Sequence, residues 1–191
     1  MTYIGVMEHE RKHHIFDTAI GPCGVAWNAR GLVGVRLPEA NAAVTEKRLA
    51  AKFQSTEAAE LPPWVAALIA DIRRYLAGER VDFSGVAVDL SGLDDFRRTL
   101  YGTMRALGWG KTTTYGALAH ELGLPGWEGA RDVGEAMGRN PVPIVIPCHR
   151  VLAAGGKLGG FSAPGGAKTK AKLLALEGVR LDGGSPRLPG L

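Results

Sequence analysis

From Asn140 to Val151 the chain reads Asn-Pro-Val-Pro-Ile-Val-Ile-Pro-Cys-His-Arg-Val, with prolines at 141, 143 and 147. Proline lacks an amide hydrogen and restricts the residue before it, so this stretch cannot be helical. It predicts an Asn-initiated turn, a short buried apolar strand, and a rigid corner that presents Cys148. Asn140 can tie down such a turn with its side-chain amide, although the Asn-Pro dipeptide alone fits an ordinary loop asparagine better.

Cys148 has His149 directly after it. The thiolate is the nucleophilic form of cysteine, so a reactive cysteine needs a nearby base or a positive field. A lone Cys-His pair is nevertheless more often a small buried apolar residue beside a core histidine. Glu177 closes the last helical stretch, where a carboxylate opposes the helix dipole at a cost of roughly 0.3–1 kcal/mol. A residue that breaks a local rule invites a functional explanation; the alternative is a solvated surface glutamate.

The 191 residues suffice for one domain or two small ones. No apolar run approaches a membrane span, and the start of the chain lacks the basic-then-apolar layout of a secretion signal. The expected compartment is therefore the reducing cytoplasm, with Cys23 and Cys148 both free thiols. Residues 1–90 carry 10 Lys and Arg against 11 Asp and Glu, and residues 91–191 carry 13 against 8. The half with the cysteine is the half suited to a polyanion.

The first third reads as strands at Ile15–Ile20, Gly24–Asn28 and Leu32–Leu37, separated by turn chemistry. Helices follow over 41–53 and from Pro62-Pro63 through Val65, Leu68, Ile69, Ile72 and Leu76 to a stop at Gly78. Val86–Leu90 alternates weakly, as an edge strand would. Beyond Ser91 the period is helical: a first helix opens on a Ser91–Asp94 box and runs to Gly108. A second is capped by Thr114 and stopped by Gly123, a third spans Gly129 to Gly138, and a last covers Lys168 to Leu176. The second and third suggest a helix-turn-helix with a connection longer than usual. A Gly/Pro-rich tail occupies 179–191.

The block from Asn140 to Val151 resembles the active-site signature of the O6-alkylguanine-DNA alkyltransferases, also called methylated-DNA–protein-cysteine methyltransferases. The resemblance extends to Thr114-Tyr115-Gly116-Ala117-Leu118-Ala119, Ala130-Arg131-Asp132-Val133-Gly134, Gly160-Phe161-Ser162 and Leu173-Leu174-Ala175-Leu176-Glu177-Gly178. It implies an α/β (α+β) fold: a small ribonuclease H-like domain over 1–90, then a helical winged-helix or helix-turn-helix domain over 91–178 that holds the cysteine. The implied reaction is a single, irreversible transfer of an alkyl group to Cys148 from O6-alkylguanine, and from O4-alkylthymine, in double-stranded DNA. No cofactor, metal, membrane or obligatory protein partner is expected, and the protein is expected to be a monomer.

The resemblance also implies roles. His149 takes the Cys148 proton through a water. Glu177 orients His149 and stabilises its positive form, so Cys148 is expected to react below the ~8.5 of an unperturbed thiol. Asn140 is the hinge between the helix-turn-helix and the site. The damaged nucleotide must leave the duplex to reach the thiol. Arg131, in the first turn of its helix, fills the space left behind, and the small residues around it allow close approach to the minor groove. Tyr115 steers the phosphate and donates to the purine, Thr114 joins the DNA contacts, and Ser162 and the Val151 backbone contact the extruded base. On pattern alone Tyr115 is a core aromatic and Arg131 a solvated helix charge.

Departures from the signature include Asp132, a carboxylate where phosphates are expected, and two loops each about two residues longer, before Arg131 and after Phe161. Cys23 with His9, His13 and His14 fits no standard zinc spacing, and a His-rich start reads as a loose tail. Two other functions compete. A non-catalytic damage reader would lack Cys148, and a cysteine hydrolase would need a distant base and an oxyanion hole.

Overall fold

Two glycines set the turns of the N-terminal sheet. Gly21 (φ +119°) and Gly31 (φ +142°) adopt backbone conformations that side-chain-bearing residues rarely reach. Each reverses the chain, giving β1 (Lys12–Thr18), β2 (Gly21–Asn28) and β3 (Gly31–Arg36) in antiparallel register. At Gly31 a Cβ would also lie 2.6 Å from the Ala87 carbonyl oxygen. The computed structural model describes residues 10–181. Beyond the third strand come α1 (Ala42–Phe53), the short β4 (Thr56–Glu57), which adds in parallel beside β1, and α2 (Pro63–Leu76). The sheet order is β3-β2-β1-β4.

The central strand is buried on both faces. Ala26, with Val33, Leu49 and Phe53, packs beneath α1. Cys23, Val25 and Trp27 point the other way, toward Leu68, Ile69, Ile72 and Leu76 of α2. Each Val, Leu, Ile or Phe so buried contributes roughly 1.5–3 kcal/mol, more than intrinsic helix propensity supplies at an ordinary position. His13 and His14 lie within β1, with His13 buried against Ser55, so these two belong to the sheet and not to a loose tail. His9 and nearly all of the Gly/Pro-rich tail (182–191) lie outside the described residues. Among the described residues no cluster suits a metal ion, and no helix is long and apolar enough to cross a membrane.

Val86–Leu90 is not a full strand. It meets β3 through a single bridge, Leu32 with Val88, closed by Leu32 N to Ala87 O and Asp89 N to Leu32 O. The helical half follows: α3 (Asp95–Ala106), β5 (Thr113–Thr114), α4 (Tyr115–Glu121), α5 (Gly126–Gly138), β6 (Val151–Leu152) and α6 (Gly166–Leu176). Asp94, not Ser91, caps α3, because its carboxylate accepts from Arg97 N. One apolar core runs from Phe16 and Tyr75 through Leu100 and Met104 to Ile146 and Cys148. The architecture is the expected α+β one, an α/β sheet half followed by a helical half.

The α4–α5 connection is only residues 122–125, because Pro125 caps a helix that starts three residues earlier than its sequence pattern suggests. That turn depends on Gly129, where a Cβ would stand 1.7 Å from the Leu124 carbonyl oxygen. Backbone cannot yield like a side-chain tip, so Gly129→Ala is expected to cost at least 1–3 kcal/mol. Gly102, mid-α3 with nothing within 4 Å of its Cβ position, is the control. Gly102→Ala should stabilise by about 0.5–1 kcal/mol. Thermal denaturation of both variants checks the pair of signs.

Candidate active site

The proline-rich segment folds as consecutive turns, not as the expected strand. Asn140 organises them: its Oδ1 accepts from Val142 N at 3.0 Å and its Nδ2 donates to Ile146 O at 2.7 Å. Ile146 N closes back on Val142 O, and Ile144 sits at φ +76°. A β-branched residue there carries on the order of 1–3 kcal/mol of strain, which the fully packed surroundings hold in place. Pro147 then leads into a 3-10 turn, Cys148–Arg150, and β6 follows at once. Its parallel pairing with β5 (Thr113 with Val151, Thr114 with Leu152) fixes the start of α4 beside the cysteine turn.

Cys148 is buried and forms part of a cleft of about 390 Å³ with Tyr115, Gly134, Met137, Gly138, Gly160, Phe161 and Ser162. Tyr115 leans across it, its hydroxyl 3.4 Å from Gly160 O. Thr114 caps α4 by accepting from Ala117 N. Val151 is buried and does not line the cleft; its carbonyl accepts from Lys170 Nζ at 2.6 Å. Arg131 lies outside the cleft, in the second turn of α5 because the helix begins at Gly126. It is exposed, 3.6 Å from Asp132, with its guanidinium 5.2 Å from the ring centre of Trp127. The outer face of α5 is therefore not all small: Trp127 is 70% exposed.

Behind the thiol stands a buried polar cluster. His149 Nε2 lies 2.7 Å from Glu177 Oε1, and Tyr75 Oη lies 2.7 Å from that oxygen and 3.1 Å from the imidazole nitrogen. Arg150 donates through Nε to Oε2 at 2.8 Å and through Nη2 to Oε1 at 2.9 Å, and Gly110 N reaches Oε2 at 3.1 Å. A hydrogen bond to a carboxylate requires the proton on Nε2. His149 Nδ1 is left as the basic nitrogen, buried and without a hydrogen-bond partner among the described residues.

These contacts revise the expected charge state. Burial raises the Cys148 thiol above its ordinary value, against the Asn140 amide and the Lys170 cation, which favour the thiolate. Burial likewise lowers His149, although Glu177 pulls the other way. Both directions favour the thiol and the neutral imidazole over the ion pair, and Arg150 shares the Glu177 charge that would favour the imidazolium. Cys23 is inert by the same physics, its thiol pushed up to about 12 by burial despite Thr18.

Sequence reasoning did not single out Tyr75, Arg150, Lys170 or Trp127. Lys170 is fully buried, donating to the Val151 and Gly160 carbonyls with the Tyr115 ring 5.7 Å away. Burial lowers it to about 8, with Cys148 opposing. Its signal was a lysine on the stripe Lys170, Leu173, Leu174, Glu177, at helical spacing. Tyr75 likewise continues the stripe of Leu68 and Ile72.

Burial would raise Glu177, but the bonds from His149, Arg150 and Tyr75 hold it down at about 2. A depressed carboxylate stabilises the fold above its unfolded pKa, and that contribution disappears as pH falls through the folded value. Glu177→Gln should therefore be less stable than wild type by roughly 3 kcal/mol near neutrality. The gap should close as pH falls from about 4.5 toward about 2. Urea unfolding of both proteins across that window measures it.

Two family models cover nearly all the described chain. The 6-O-methylguanine DNA methyltransferase ribonuclease-like domain matches residues 12–90, and the DNA-binding domain of the same family matches residues 95–179. A methylated-DNA–protein-cysteine methyltransferase of Mycobacterium tuberculosis is 33% identical over 88% of this chain and 93% of its own length. A Thermus thermophilus protein named a DNA base-flipping protein is 42% identical over 56% of this chain and 69% of its own. The crystal structure of M. tuberculosis OGT in complex with DNA superposes with a TM-score of 0.70 at 32% identity, covering 87% of this chain and 92% of that one.

Proposed function

Because the chain belongs to the 6-O-methylguanine DNA methyltransferase family, we propose that it repairs alkylated DNA by taking the alkyl group of O6-alkylguanine onto its own Cys148. The observation that carries this reading is the thiol in the wall of a base-sized cleft with a basic imidazole nitrogen behind it. The thiol proton passes through a water to His149 Nδ1 as sulfur attacks the alkyl carbon. The S–C bond forms, the C–O6 bond breaks, and its electron pair remains on the base. The imidazolium's proton is returned to the base, leaving neutral guanine and a thioether. A thioether does not turn over, so each molecule acts once. The same chemistry extends to O4-alkylthymine.

The neutral resting pair suits this step. Desolvation keeps the thiol uncharged until substrate fills the cleft, and Lys170 and the Asn140 amide then stabilise the developing thiolate. Tyr115 donates to the purine from one wall and Ser162 contacts it from another. A base inside a duplex cannot reach a buried sulfur, so the nucleotide is extruded. Arg131, on the exposed face of α5, fills the space it leaves, because a planar guanidinium stacks and donates to the orphaned partner base. Trp127 holds that guanidinium ready, and the guanidinium, 3.6 Å from Asp132, offsets the repulsion of that carboxylate toward phosphate. Thr114, as the cap of α4, sets how this surface meets the backbone.

Incubation with a duplex containing O6-methylguanine, followed by intact mass and peptide mapping, tests the reading. The expected product carries one methyl group, on Cys148 and not on Cys23. Unmodified protein that still binds the lesion would instead favour a base-flipping reader, the name given to the Thermus relative. Arg131→Ala should slow repair of duplex DNA on the order of 10-fold or more while sparing reaction with the free alkylated base, which needs no extrusion. Equal slowing of both substrates would place Arg131 in support of the cleft.

A further inference from the structure

Tyr75 belongs to α2, in the sheet half of the molecule, yet its hydroxyl meets the two groups that prepare the thiol. The side chain is fully buried. Its ring is boxed edge-on by Phe83 at 5.7 Å, Trp109 at 5.4 Å and His149 at 6.4 Å between ring centres. The hydroxyl therefore has one place to be. With the His149 proton on Nε2, the Tyr75 proton must go to Glu177 Oε1.

We propose that Tyr75 is a positioning residue of the relay, whose hydroxyl lowers the basicity of Glu177 so that His149 stays neutral with its Nδ1 lone pair free for the Cys148 proton. This rests on the alkyl-transfer reading of the site. Glu177 Oε1 accepts from His149, Tyr75 and Arg150, and Oε2 from Arg150 and Gly110. A carboxylate so saturated neither turns nor draws strongly on the imidazole proton. Remove the Tyr75 donor and Oε1 regains negative charge density directly beside Nε2. The imidazole then binds a second proton more tightly and fails as a base at a higher pH. The other charged groups acting on His149 are the cations Arg150 and Lys170, which oppose its protonation and are not altered by the change.

Tyr75→Phe removes the hydroxyl and keeps the ring. Two readouts separate this proposal from the transfer reading. In unliganded protein, the His149 imidazole is titrated by NMR in wild type and Tyr75→Phe, a measurement that needs no activity. The expected result is a higher His149 pKa in the variant, by an amount on the order of one hydrogen bond, or 3- to 10-fold in the protonation constant. In single-turnover transfer from free O6-methylguanine, the acid limb of the rate profile should move up by the same factor. The plateau should hold within about 3-fold, because Arg150 still anchors Glu177. Duplex binding should be that of wild type, while the loss of one buried hydrogen bond to a carboxylate should lower the melting temperature by a few degrees without abolishing folding. An unchanged His149 pKa, or a rate loss uniform across pH, overturns the proposal. Failure of wild type to alkylate Cys148 at all would overturn the transfer reading instead, and the NMR titration would still decide the state of the imidazole.

Discussion

The site depends on one carboxylate. Glu177 sits at the C-terminal end of α6, where the helix dipole disfavours it, and it is buried, which disfavours it further. It is tolerated because donors from three parts of the chain converge on its two oxygens: Tyr75 of α2, Gly110 of the turn before β5, and His149 and Arg150 of the cysteine turn. A buried charge with its partners removed costs several kcal/mol. The same few ångströms that orient the base therefore also tie the two halves together. Catalytic geometry and fold stability share an anchor here, and neither can be loosened alone.

Charge balance in that anchor governs the chemistry. A carboxylate beside an imidazole usually favours the imidazolium, and an imidazolium favours a thiolate. Arg150 interrupts the chain by cancelling the carboxylate, and full burial penalises every ion that remains. The positive charge that does face the sulfur comes from Lys170, itself held by two carbonyls and depressed by desolvation. Burial therefore works against both ions of a thiolate–imidazolium pair in the unliganded site.

Much of this was legible in the sequence. The turns around Gly21 and Gly31, the helix opening at Pro63, the Thr114 cap and the Asn140-to-Val151 block all carry local signals strong enough to survive tertiary context. The errors have physical causes. The segment 141–147 looked like a strand because its residues are apolar and β-branched, but an Asn140 side chain spanning the turn and a left-handed Ile144 outweighed that propensity. The sequence pattern places the start of α5 late because Gly126 is a poor helix former and Pro125, at the N-cap, has no side-chain acceptor to mark the boundary. Tyr75 was invisible as a functional residue: nothing local distinguishes a buried tyrosine that packs from one whose hydroxyl lands on a carboxylate 102 positions away. Arg150 was in plain view but read as part of a motif and not as a counter-ion.

The apolar core crosses from the sheet to the helices without a seam, and β3 donates a backbone hydrogen bond from Val35 to the Pro141 carbonyl on the cysteine loop. Two segments that match separate family models thus share one buried interior. Because Val35 grips the cysteine loop from the sheet side, any change that displaces β3 is passed through backbone to the turn that presents Cys148.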